Sequence, residues 1–162
     1  MIQIRPADLR DDVALATIDE AAWTPDVSPG PARVPGSPFF TERTRPEDVL
    51  LAAADGHAVG YVLLVQTMGL PSHAHVLTVN GLAVAVTQRR RGVGRLLVEE
   101  AKSEARRRGA QKLTLRVLAP NVSARRLYEA CGFTVEGVLE KEFLLEGRLV
   151  DDVLMAYRVD PT

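Results

Sequence analysis

The chain lacks most of what would tie it to an oxidising compartment, a membrane or a polyanion. Cys131 is its single cysteine. No intrachain disulfide can form, and a reducing compartment is the expected setting. Nowhere is there an apolar run of about 18 residues, the length that signals a spanning helix. The opening MIQIRPADLRDDV has no apolar signal core. These absences predict a cytoplasmic protein without a membrane partner. Charge of one sign is lacking too, with a formal net charge of -1. That argues against bulk electrostatic binding to nucleic acid, and no such partner is expected.

What remains is an ordinary globular composition, 46% apolar and 25% charged over 162 residues. One domain, 1–162, with one good core is the expectation. Ile2 and Ile4 alternate with polar neighbours, which suits a short strand stopped by Pro6. Asp8 or Asp11 caps a helix running to Trp23, with Val13, Ala14, Ile18, Ala21 and Ala22 at helical spacing. Six prolines then fall within residues 24–46 (Pro25, Pro29, Pro31, Pro35, Pro38 and Pro46). This predicts a long loop, with one helical turn around Phe39–Glu42. It is either a surface excursion or a wall for a substrate; Trp23, Phe39 and Phe40 favour a packed segment.

Val49–Ala54 reads as a strand or short helix, Asp55-Gly56 as a hairpin turn and Ala58–Gln66 as a strong strand. A further strand is expected over Ala74–Val86, with Gly81 marking a bulge or a close backbone approach. A helix runs from Gly92 to about Arg108, with Val93, Leu96, Leu97, Ala101 and Ala105 inward. Gly109 is its C-cap. Lys112–Leu118 is a strand, Val122–Ala130 a short helix, and Phe133–Leu145 and Leu149–Arg158 a hairpin about Glu146-Gly147. The order predicts an α/β (α+β) fold, a mixed sheet covered by helices.

The stretch with most chemistry is VLTVNGLAVAVTQRRRGVGRLLV, residues 76–98. A strand runs through glycines into a helix N-terminus. The first N–H groups of that helix have no internal partners, and its dipole favours an anion. Gly92 and Gly94 let a phosphate approach the backbone, and Arg89, Arg90, Arg91 and Arg95 raise the local potential. A P-loop would need Lys-Ser or Lys-Thr where Arg95-Leu96 stands; a dinucleotide fingerprint would need a third glycine where Leu97 stands. A surface turn with an ordinary basic helix start is the remaining alternative.

The stretch resembles the central acyl-CoA motif of the GNAT superfamily of N-acyltransferases, Arg/Gln-x-x-Gly-x-Gly/Ala after a strand. IRPADLRDDVALATID resembles that family's first strand and helix, and VLAPNVSARRLYEACGFTVEG its following motif. The C-terminal part resembles the branch holding ribosomal-protein N-terminal acetyltransferases and amino-acid or amine acetyltransferases. The resemblance implies a mostly antiparallel seven-stranded sheet with splayed central parallel strands, flanked by about four helices.

It also implies roles. Acetyl-CoA is the donor. The backbone of Leu82, Ala83, Val84 and Val86 would contact its pantetheine arm. N–H groups of Arg91, Gly92, Val93, Gly94 and Arg95 would hold its pyrophosphate. Asn121 and, more weakly, Ser123 and Arg126 would lie along it. Tyr128 would protonate the leaving sulfur, with an N–H near Val84 for the oxyanion. No acid stands early on the central strand, so Asn80 or Thr78 would hold a water that relays the proton. His73, His75, Glu20, Asp26 and Glu42 are surface residues in this reading, and Cys131 a buried small hydrophobe. The acceptor would be a small-molecule amine or a protein N-terminus. A catalytically quiet acyl-CoA sensor is the alternative, and the exposed edge of the last hairpin would allow a homodimer.

Overall fold

The computed structural model describes residues 1–160. Seven strands form one sheet in the order β1-β2-β3-β4-β5-β7-β6. They are β1 (Ile2–Pro6), β2 (Val49–Ala54), β3 (His57–Val65), β4 (Val76–Val84), β5 (Lys112–Leu118), β6 (Thr134–Leu145) and β7 (Arg148–Arg158). Every neighbouring pair is antiparallel except β4 and β5. Three α-helices flank the sheet, α1 (Asp12–Ala22), α2 (Val93–Arg107) and α3 (Val122–Ala130). The expected count of about four falls to three among the described residues, because the other helical pieces are single 3-10 turns.

Two cores form on the two faces of the sheet. Under α2 and α3 lie Val62, Leu64, Leu77, Val79, Leu97, Val98, Leu113, Leu115, Val153 and Met155. Under α1 lie Leu15, Ile18, Phe39, Val49, Leu51, Tyr61 and Ala83. Alternation along β4 and β5 assigns successive side chains to opposite faces.

Helix α1 buries Leu15 and Ile18, while Val13 is 76% exposed, so its apolar stripe lies off the predicted phase. Asp8 forms a capping box with Asp11 on the turn before it, and Asp11 also binds Arg5. Helix α2 buries Val98 where Leu96 was expected, and Leu96 is 45% exposed. No helical turn forms at Phe39–Glu42; Thr41 and Thr44 instead pair in a tight bridge.

The 24–46 stretch is held to the fold by side-chain bonds and by buried Phe39. Arg33 binds Asp19 and donates to the carbonyl of Pro38 at 3.0 Å. Tyr61 donates to the same Asp19, and Phe39 stacks edge-on against Tyr61 at 4.9 Å. Trp23 Nε1 donates to the Gly30 carbonyl, and Phe40 N–H to Asp12. Six prolines leave this backbone few ladder bonds, and side chains satisfy it instead.

Candidate functional site

β4 and β5 pair in parallel only over Val76–Val79 and Lys112–Leu115. Beyond that the two strands part. At the same place β4 carries a bulge, since Leu64 pairs with Val79 and Leu63 with Gly81, leaving Asn80 unpaired and exposed. The predicted bulge thus falls on Asn80, one residue before Gly81.

The register settles which backbone groups face the gap. Ala85 N–H donates to Val59 at 2.8 Å, and Ala83 pairs with Tyr61 and Gly81 with Leu63. Peptide groups of Gly81 and Ala83 therefore turn to β3, and those of Leu82 and Val84 turn to the gap. Ala83 lines the cleft, but its N–H and C=O pair with Tyr61 of β3. The strand ends at Val84, and Val86 opens a single 3-10 turn with its side chain 58% exposed.

The glycine bend follows. Arg90 and Gly92 are left-handed, at φ 61° and 82°. Gly92 is the N-cap of α2 and offers no side-chain cap. A left-handed φ suits glycine and strains other residues. Leu96 N–H is the first of the helix to bond back, to Gly92 at 3.0 Å. The N–H groups of Gly92, Val93, Gly94 and Arg95 thus stay free of the described backbone, an anion cradle in physical terms. Gly94 is small for a packing reason as well: a Cβ there would sit 3.2 Å from Leu127 of α3. Val93 is 1% exposed, so only its backbone is available. Arg91 is exposed. Arg89 folds back, its Nε donating to the Val84 carbonyl at 3.2 Å.

Gap and bend share one cleft of about 1370 Å³. Leu82, Val84, Gly92, Gly94, Arg95, Asn121, Ser123 and Tyr128 line it, as do Thr78 and Asn80. Arg91, Val93, Val86 and Arg126 do not. Asn121 caps α3 by accepting from Ala124 N–H at 3.2 Å, which leaves its amide nitrogen available. Tyr128 is 7% exposed and lines the cleft, and no side-chain hydrogen bond acts on its hydroxyl. Burial holds its pKa well above the usual tyrosine value. Cys131 is buried, and burial pushes its thiol up.

The opposite wall comes from Trp23 at the end of α1, from Val27, Pro29, Pro31 and Arg33 of the proline-rich stretch, and from Asp19, Tyr61, Arg116, Phe143 and Asp152. Sequence reading missed these last five. Tyr61 lies inside an apolar run, and the partners of all five are distant in the chain. Asp19 and Asp152 are the carboxylates that line the cleft among the described residues, and each binds an arginine. His73, His75, Glu20, Asp26 and Glu42 lie outside it.

The sequence model of the acetyltransferase (GNAT) family matches residues 13–133. The chain belongs to that family. The smu.2055 structure of Streptococcus mutans UA159 superposes with a TM-score of 0.86 at 30% identity, over 98% of this chain and 99% of that one. The structure of yncA from Salmonella typhimurium, solved with its cofactor acetyl-CoA, gives a TM-score of 0.83 at 21% identity. It covers 100% of this GNAT chain and 96% of its own, and shows likeness of fold. The uncharacterized N-acetyltransferase YhfO of Bacillus subtilis is 34% identical over 85 residues, 52% of this chain. That match spans 57% of YhfO, little more than half its length. No helix among the described residues is long and apolar enough to cross a membrane.

Proposed function

We propose that this chain is an N-acetyltransferase that moves the acetyl group of acetyl-CoA to a primary amine by direct attack in a ternary complex. The observation that carries the donor half is the parting of β4 and β5 after Val79, beside a helix start whose N–H groups are free. A pantetheine arm in that gap meets the peptide groups of Leu82 and Val84. Its pyrophosphate meets Gly92, Val93, Gly94 and Arg95, and Asn121 and Ser123 lie along it.

The chemistry follows from balance. The amine nitrogen bonds to the thioester carbon, the oxygen gathers negative charge, and the carbon–sulfur bond then breaks. An outward N–H of β4, near Val84, answers the oxyanion. Tyr128 gives its proton to the departing sulfur. The attacking amine must lose a proton. Both cleft carboxylates are engaged by arginine, so the reading passes that proton through water held at Asn80 and Thr78 to solvent, and solvent restores the Tyr128 proton after each turnover. Thr78 already shares a hydrogen bond with Thr114 at 3.0 Å.

The acceptor in this reading is a small-molecule amine or a protein N-terminus. A second reading, a quiet acyl-CoA sensor, draws on the same pairing of Asp19 and Asp152, which leaves no free carboxylate base among the described residues of the cleft. Thiol release from acetyl-CoA across an amine panel separates the two. Amine-dependent release of free CoA supports the transferase; tight acetyl-CoA binding with no release from any amine supports the sensor.

A further inference from the structure

The cleft holds two arginines outside the glycine bend, and they differ in one respect. Every nitrogen of Arg33 is occupied: Nε and Nη2 by Asp19, and Nη1 by the Pro38 carbonyl. Arg116 has only its Nε engaged, by Asp152. Its Nη1 and Nη2 take no bond from any described residue. Asp152 is the buried member, 3% exposed, and the Arg116 side chain is 53% exposed into the cleft. Phe143 lies against it, 6.0 Å from ring centroid to guanidinium carbon. One edge of the guanidinium is thus fixed from below, and the other edge is presented with two parallel donors.

Its place on β5 gives the direction. Leu113, Leu115 and Val117 face the core under α2 and α3, so Thr114 and Arg116 face the other side. Tyr128, Asn121 and the glycine bend belong to the α2 and α3 side, where the donor lies in the reading above. Arg116 stands at the mouth left for the acceptor.

We infer that Arg116, positioned by Asp152, clamps a carboxylate on the acceptor, which makes the acceptor an amine of amino-acid type. The inference rests on the acyl-CoA reading of the cleft. A guanidinium edge matches a carboxylate with two parallel hydrogen bonds. Asp152 already offsets one charge, which suits a monoanion better than a phosphate dianion. Asp152 is a positioning residue here; Arg116 touches the acceptor.

The test uses the full chain with acetyl-CoA and a panel of amino acids, each beside its amide and its decarboxylated amine. The expected result is a kcat/KM about tenfold or more higher for the acids, because the amides leave the fork unmatched. Arg116→Ala should raise KM for the acids about tenfold relative to the amides. Arg116→Lys keeps a cation beside Asp152 and loses the fork, so it should show the same split in a folded protein. Equal rates on acids and amides, or equal losses on both in the variants, overturn the clamp while leaving the donor reading intact. Absence of acetyl-CoA binding by calorimetry in the unaltered chain overturns the donor reading and the clamp together.

Discussion

A phenol that protonates a departing thiolate must keep its own proton at neutral pH and still reach the cleft. Tyr128 meets both conditions. It is buried, its pKa is raised, and its hydroxyl is uncommitted among the described residues. Tyr61 makes the contrast. Burial raises it as well, but its hydroxyl is spent on Asp19, so it holds the wall. Replacing Tyr128 with Phe should lower kcat about 100-fold, within the usual span for a proton donor. The KM for acetyl-CoA should stay within about twofold. Stability should hardly move, since the ring keeps its place 5.7 Å from Phe133 and no protein hydrogen bond is lost. Steady-state kinetics with a urea midpoint on the same sample checks all three. The place of Tyr128 in the cleft was legible because helix spacing and the motif both mark it. Arg116 and Asp152 were not, because a cross-strand pair leaves no local pattern.

At the scale of elements, the close seating of α2 on the sheet depends on a glycine that the sequence does not advertise. A Cβ at Gly60 of β3 would lie 2.9 Å from the Ala83 carbonyl and 3.1 Å from Leu97. The first neighbour is backbone and cannot swing away. Gly60→Ala should destabilise by about 1–3 kcal/mol, as overpacked sites do. It should also weaken acetyl-CoA binding, because the same contact sets β4 beside α2. Chemical denaturation and calorimetry read the two effects; unchanged values for both would contradict this account. Most element boundaries were readable from alternation and turn residues, the hairpins at Gly56 and Gly147 among them. The phase of α1 was not. Val13 and Leu15 both fit an apolar stripe, and only docking against Tyr61 and Phe39 selects Leu15. The end of β4 was misplaced by two residues because AVAV continues the alternation past Val84, into the 3-10 turn that begins at Val86.

For the whole molecule, acid is the condition that its ion pairs make informative. Arg10 holds the Asp8 carboxyl down, from the ordinary 3.8 to about 2. Arg5 lowers Asp11 in the same way. Glu104 is opposed by its own burial, yet Arg108 and Arg107 keep it low. Each of these binds fewer protons in the native state than in the unfolded chain. Their contribution is therefore fully present above about pH 4 and lost as the pH falls toward 2. Asp48, raised by burial, acts in the opposite sense but alone. The urea midpoint should hold above about pH 4 and fall between there and about pH 2.5; a flat profile would sink the assignment. Asp8 and Arg10 are exposed and Asp11 and Glu104 half-buried at the surface, so the loss should be modest.

The gap beside β4 also changes how the sheet meets the solvent. β4 is the fourth of seven strands, where amides are ordinarily the last to trade their protons. Here Leu82 and Val84 turn their N–H groups to an opening. In deuterated buffer they should exchange early, while Val79 and Leu113, inside the short parallel ladder, should exchange late. Acetyl-CoA should then slow Leu82 and Val84 selectively. The centre of this sheet keeps time like a rim, until something other than protein completes it.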